Sequence, residues 1–408
     1  MGIARGVGNF AGMERVVLLC FVWIAAIVSS AADTPADTVR VGAERTEVCA
    51  GDLLGRRVAL LSNHTGVAGG EHTLDRLLRC GVDVRVIFSP EHGFRGTADA
   101  GETVQSGKDP KTGIPIASLY GAKGERMPSA EVMNEIDVIV CDLQDVGLRF
   151  YTYYITMMDL MEAAARYGKE FVVLDRPNPN GMYVDGPVLD MTLRSGVGRL
   201  PIPVVHGMTL GELARMIVGE GWLKQDVPLD LRVVPCEGYT HSTRYELPVA
   251  PSPNLKDMQA VWLYPSTCLF EGTVMSLGRG TNSPFCIYGH PRMTGCDFSF
   301  VPRSVAGAKN PPLKNQVCYG RDLRGMAPDS IIARGVDLSY VIDARRNPGM
   351  RDVKDFFMSF FDKLIGNRSV RRMIESGASA EEIRATWLPE VEEFKKLRKK
   401  YLLYPDFE

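Results

Sequence analysis

The chain has 408 residues, of which 45% are apolar and 24% charged, an ordinary balance for a soluble globular protein with room for two domains. Its formal net charge of −2 argues against nucleic acid as the main partner, because phosphate binding needs a basic excess. The one basic cluster, Lys395, Lys396, Arg398, Lys399 and Lys400, reads as the solvated face of a terminal helix.

The chain opens with a segment unlike the rest. Residues 16–28 are wholly apolar, Arg5 and Arg15 precede them, and Ser29-Ser30-Ala31-Ala32 follows. This order of charge, apolar run and small residues predicts a secretory signal over 1–32, and so an exported protein, periplasmic or secreted. The run is short for a membrane span. Eight cysteines lie beyond it, with no CxxC pair, so no zinc knuckle is expected. Cys80 and Cys141 fall in helix and strand patterns and read as buried thiols. Cys268, Cys286, Cys296 and Cys318 are the candidates for one disulfide.

From residue 38 onward the pattern alternates. Strands are predicted at 57–62, 82–89, 114–120, 137–143, 171–174, 204–205 and 231–234. Helices are predicted at 73–80, after the N-cap Ser129, at 154–167, and at 209–218 behind a Thr209/Glu212 capping box. Such alternation predicts an α/β fold: a Rossmann-like, mainly parallel sheet with helices on both faces. The prolines at 248, 251 and 253 break the pattern. Beyond them the reading is irregular until helices at 354–365 and 381–402. The expected organisation is therefore a catalytic domain over 38–260 and a smaller α+β domain over 261–408, with a cleft between them.

Ligands of open parallel sheets bind beyond the carboxyl ends of the strands. Five strand ends here carry polar or aromatic groups: Asn63 and His64; Glu91, His92 and Arg95; Asp142, Asp145, Arg149, Tyr151 and Tyr153; Asn178; and His206. Glu91 stands between Pro90, which stiffens the backbone, and Gly93, which lets it turn. A carboxyl so held at the mouth of an apolar sheet is a candidate general acid. Asp142 and Asp145 are spaced to act as an acid–base pair, to bind a metal, or to cap the following helix. Asn178 lies in the stiff run Asp175-Arg176-Pro177-Asn178-Pro179, which is either self-bonded or a sugar contact. The histidines show no HxH or HExxH spacing, so no metal is expected. Tyr151 or Tyr153 is a candidate stacking partner for a sugar ring. In the second half Arg279, between Gly278 and Gly280, either forks onto a ligand carboxylate or pairs with Glu271.

Taken in order, these segments resemble the exo-β-N-acetylmuramidase family. The resemblance rests on Asn63-His64-Thr65-Gly66-Val67, residues 88–96 with Ser89-Pro90-Glu91-His92-Gly93, residues 142–153, 174–179 and His206-Gly207-Met208-Thr209. It continues through Pro251-Ser252-Pro253-Asn254, residues 270–281 and the tail Tyr401-Leu402-Leu403-Tyr404. It implies release of terminal β-1,4-linked N-acetylmuramic acid from peptidoglycan-derived saccharides, without cofactor, with the catalytic acid at Glu91. Asp142, Asp145 and Glu271 are the candidates for the second catalytic group. The family pattern Asn-Pro-Thr-Gly reads Asn63-His64-Thr65-Gly66 here, and Glu-Gly-Thr-Asn reads Glu271-Gly272-Thr273-Val274, where valine cannot supply an amide's hydrogen bonds. The substrate's lactyl carboxylate would suit Arg279, Arg95 or Arg149. The competing readings are a metal-assisted hydrolase using Glu91, His92, Asp142 and Asp145, and a non-catalytic binder of wall sugars.

Overall fold

The strands of the first half read as unbroken apolar runs because both faces of their sheet are covered. In the computed structural model, which describes residues 39–45, 51–90, 94, 107–119, 127–224 and 228–408, β1 (Arg57–Ser62) shows this directly. Ala59 and Leu61 point into the larger core, Val58 and Leu60 into a smaller one. The segment 1–32, read from the sequence as a secretory signal, lies outside the described residues.

The chain continues through a small hairpin, β2 (Val67–Ala68) and β3 (Glu71–His72), into α1 (Thr73–Arg79) and β4 (Asp83–Ser89). Then come β5 (Gly107–Lys108), β6 (Pro115–Ser118), α2 (Ala130–Asn134), β7 (Val138–Asp142), α3 (Tyr153–Tyr167), β8 (Glu170–Leu174), α4 (Leu210–Gly219) and β9 (Leu231–Val234). The sheet order is β5-β6-β4-β1-β7-β8-β9, and every pair is parallel except β5 with β6. Without the short edge strand β5 this is the doubly wound Rossmann order. Its topological switch point falls between β1 and β7, so the crevice opens beyond Ser62 and Asp142. The segment 204–205 makes only isolated bridges, Val205 with Leu148 and with Asp185, rather than a strand.

Local signals place the helices. Ser129 caps α2, and Thr209 with Glu212 forms the capping box of α4. α3 ends at Gly168 in the left-handed conformation, φ 61°. Its periodicity predicts one apolar face, yet every residue from Tyr153 to Ala165 is buried. The core that holds it also takes in Phe270, Tyr288, Phe361 and Trp387 from the second half. Its buried charges are paired, Asp159 with Arg199 and Glu162 with Lys224.

Residue 260 lies within α5 (Met258–Thr267). Past it, β10 (Ile287–His290), β11 (Phe298–Phe300) and β12 (Cys318–Asp322) form an antiparallel sheet in the order β10-β12-β11. Six helices follow: α6 (Pro328–Arg334), α7 (Ser339–Arg346), α8 (Ser359–Ile365), α9 (Arg368–Glu375), α10 (Ala380–Ala385) and α11 (Leu388–Arg398). The helix expected over 381–402 is thus two helices, with Pro389 in the first turn of the second. The tail then returns to the large sheet. Tyr404 donates to Asp175 Oδ2 (2.6 Å), Leu403 N–H to Glu212 Oε1 (2.8 Å), and Arg398 grips Asp406 while donating to Gly207 O.

The cysteines differ from the sequence reading. Cys80 is disulfide-bonded, whereas Cys268, Cys286, Cys296 and Cys318 are all free thiols. Three of those four are buried, which shields them from exchange, while Cys80 caps α1 at a half-buried position.

Candidate active site

The loops that leave β1 and β7 are tied together at the switch point. Asn63 is fully buried; its Oδ1 accepts from Thr65 N–H (3.0 Å) and Thr65 Oγ1 (2.6 Å), and its Nδ2 donates to Tyr153 OH (2.8 Å). Thr65 Oγ1 in turn accepts from Gln144 N–H (3.2 Å). Tyr151 and Tyr153 both donate to Pro251 O, at 2.8 and 3.2 Å, and His64 Nε2 meets Ala250 O at 2.9 Å. The Pro-rich stretch therefore lies across this end of the sheet. Both tyrosines are buried, so neither offers an open face for sugar stacking in this conformation.

The two aspartates separate into different roles. Asp142 receives Arg176 through two hydrogen bonds, 2.6 and 3.0 Å, with both side chains buried. Arg176 also reaches Val67 O, so one cation fastens β7 to the loop after β8 and to the β2–β3 hairpin. With both oxygens engaged, Asp142 is a fixed strut. Asp145 is different. Its Oδ1 accepts from Gly147 N–H (2.8 Å), but its Oδ2 is buried with no partner among the described residues. Burial pushes its carboxyl up to about 7, against backbone N–H groups that pull it down. A small void of about 10 Å³ beside it is lined by Arg176, Asn178 and Thr209 among others.

Three other predicted contacts face inward. Arg149 is completely buried and donates to Pro187 O, Ile202 O and Leu364 O at 2.7–3.0 Å. Its guanidinium joins three chain segments rather than reaching a ligand. Asn178 accepts from Asn180 N–H (2.8 Å) and donates to Met208 O (2.9 Å), the self-bonded alternative for this loop. Gly147, at φ 75°, packs against that amide so tightly that a Cβ would lie 2.2 Å from Asn178 Oδ1. His206 Nδ1 accepts from Met208 N–H (3.3 Å), and burial with nearby Arg398 holds the ring well below its usual range, to about 3, so it is neutral.

In the second half, Glu271 Oε1 accepts from Arg279 Nε (2.9 Å) and Nη2 (2.5 Å). The guanidinium lies over Phe285, 5.0 Å from the ring centre. An aromatic row joins this pair to the strand ends. Phe285 meets Tyr264 edge-on at 4.7 Å, Tyr264 meets Tyr151 at 6.4 Å, and Tyr151 meets Tyr153 at 4.7 Å. The pair and the tyrosines thus bracket one contiguous region, and Glu271 and Arg279 are its partly exposed end. Val274 takes part through its backbone, N–H to Phe356 O at 3.1 Å.

Glu91, His92 and Arg95 lie outside the described residues. Their immediate neighbours do not: Ser89 and Pro90 end β4 buried, and Phe94 is buried edge-on against His72 at 5.1 Å. Among the described residues no three His, Cys, Asp or Glu side chains converge as a metal would need. Sequence reading passed over Gln144, Arg176, Tyr264 and Phe285 as partners of the site. Arg176 stands beside Asp175 in an obviously polar loop, but its match to Asp142 exists only across neighbouring strands. Tyr264 and Phe285 fall where the pattern is irregular and carry no signal of their own.

The chain is similar to known proteins over most of its length. Residues 58–259 match the model of the N-terminal part of exo-β-N-acetylmuramidase NamZ, and residues 262–404 that of its C-terminal part. The peptidoglycan β-N-acetylmuramidase NamZ of Bacillus subtilis is 38% identical over 370 residues, covering 86% of this chain and 88% of that protein. Two crystal structures of DUF1343 family proteins from Bacteroides fragilis superpose on the fold. One is 52% identical with a TM-score of 0.84, the other 29% identical with 0.75; each comparison covers 90% of this chain and 99% of the other.

Proposed function

The chain belongs to the exo-β-N-acetylmuramidase NamZ family, and from that premise we propose that it is an exo-acting glycoside hydrolase. It releases terminal β-1,4-linked N-acetylmuramic acid from peptidoglycan fragments, with Glu91 as the general acid. The observation that carries the reading is the match of both family models in sequence order across nearly the whole of residues 58–404.

The residues supply a rationale. Glycoside cleavage needs an acid to protonate the leaving oxygen and a second group to act at the anomeric carbon. Glu91 follows β4, one strand from the switch point, in the sequence Pro90-Glu91-His92-Gly93. Asp142 is committed to Arg176 through both oxygens and Glu271 to Arg279 through Oε1, which leaves Asp145 as the candidate whose spare oxygen is buried without a partner among the described residues. The apolar run at 16–28 supports export to the compartment where the wall lies.

Incubation of the purified chain with a muramic acid–glucosamine disaccharide, followed by detection of free N-acetylmuramic acid, tests the reading. Release of the sugar is expected, and Glu91→Gln is expected to lower kcat by roughly 10²–10⁴. No release by the wild-type chain would overturn the activity. Full activity in Glu91→Gln would overturn only the identity of the acid.

A further inference from the structure

Arg279 is held in an unusual way. Its flanking residues Gly278 and Gly280 have φ of 83° and 81°, and a Cβ at Gly280 would lie 2.4 Å from Arg303 O. Both positions favour glycine, so the turn that presents Arg279 is narrowly specified. Phe285 beneath the guanidinium is itself in the left-handed region at φ 66°, which is rare for a bulky residue. Its N–H is fixed to Leu277 O at 2.8 Å. The surrounding bonds thus hold an aromatic ring in a strained conformation where it supports the cation.

The result is a cation fixed on two sides. Nε and Nη2 point at Glu271, and the planar face rests on Phe285. Nη1 has no acceptor among the described residues, and the side chain keeps 18% of its surface exposed. Arg149 makes the contrast clear, since its two terminal nitrogens are occupied by carbonyls inside the protein. A guanidinium oriented in advance, with Nη1 left without an acceptor among the described residues, suits a carboxylate, which takes N–H donors in the guanidinium plane.

We infer that Arg279 is a specificity-determining residue whose Nη1 edge binds the lactyl carboxylate of N-acetylmuramic acid. This rests on the hydrolase reading above. The lactyl group is the only anionic group on that sugar and separates it from N-acetylglucosamine. Glu271 is the positioning residue: it fixes the guanidinium plane and leaves recognition to the remaining N–H bonds. The aromatic row from Phe285 to Tyr153 connects this contact to the strand ends.

The test compares a chromogenic β-N-acetylmuramide with its lactyl methyl ester, using the full chain as wild type, Arg279→Met and Arg279→Lys. Wild type is expected to favour the acid over the ester by about ten- to a hundredfold in kcat/KM, the scale of one charge-assisted contact. In Arg279→Met that ratio falls to near one, and Arg279→Lys keeps an intermediate value. A merely structural role would lower the acid and ester rates together and keep the ratio, which would overturn the inference. If Arg279→Met fails to fold, Arg279→Lys carries the test: a ratio lowered from the wild-type value supports the inference, and an unchanged ratio, or a wild-type ratio near one, overturns it. A wild type that cleaves neither compound, nor the disaccharide, overturns the hydrolase reading itself.

Discussion

At the strand ends of the large sheet, most polar atoms meet partners inside the protein; at the Gly278-Arg279-Gly280 turn, one edge of a cation is left over. Asp142, Arg149, Arg176, Asn63 and Asn178 are all buried and bonded to neighbouring segments. Glu271 and Arg279 are partly exposed and bonded chiefly to each other. Both regions looked equally polar in the sequence. The difference lies in what remains after internal bonds are made. A rim whose polar groups answer one another is scaffold, while a held group with a spare donor is available to a ligand.

Three substitutions would break or sharpen this contrast. The largest effect belongs to the rim. Asp142→Ala leaves Arg176 as an unpaired buried cation and should lower stability by roughly 3–5 kcal/mol. Denaturant unfolding measures it, and a loss below about 1 kcal/mol would mean that the rim is not a scaffold.

Asp145 comes next, as the exception within the rim. Its folded carboxyl is raised from 3.8 to about 7, so the protonated form is favoured by folding. The resulting stability is fully present below pH ~4 and is lost as pH rises through about 7. Between pH 5 and 8 the wild type should lose roughly 2–3 kcal/mol from this group that Asp145→Asn does not lose. Parallel melting of both proteins at the two pH values would show it, and identical pH profiles would mean that Oδ2 is solvated or paired. Tyr151→Phe should have the smallest effect. It removes one hydrogen bond to Pro251 O, worth about 1 kcal/mol, while Tyr153 still holds that carbonyl.

The sheet was legible from the sequence because its strands are short, apolar and bounded by turn residues, and the capping box of α4 announced itself at Thr209 and Glu212. The second half was not. Its strands alternate weakly, and its helices α6, α7 and α9 are brief and rest on tertiary packing. The long helix read over 381–402 missed the break at Thr386 and Trp387, where buried Trp387 donates to Asp185 Oδ1 (2.9 Å), a contact 202 positions away. The candidate site was legible only as residue types at strand ends. What stayed hidden was pairing. Nothing in linear order says that Asp142 meets Arg176, or that Arg149 faces three carbonyls rather than solvent. Glu271 with Arg279 was foreseen as one of two alternatives, and the structure holds that pair while leaving Nη1 open.

The return of the tail to β8 also sets a clock. Asp175 and Tyr404 are separated by 229 positions, and at roughly 5–20 residues per second the ribosome needs about 10–50 seconds to deliver one after the other. During that interval Asp175 and Glu212 lack bonds that they keep in the finished molecule. The end of β8 and the start of α4 therefore cannot be completed until the tail arrives, although they are made near the middle of synthesis. A nascent chain halted before Arg398 would carry this corner open, a place for chaperones or proteases to engage.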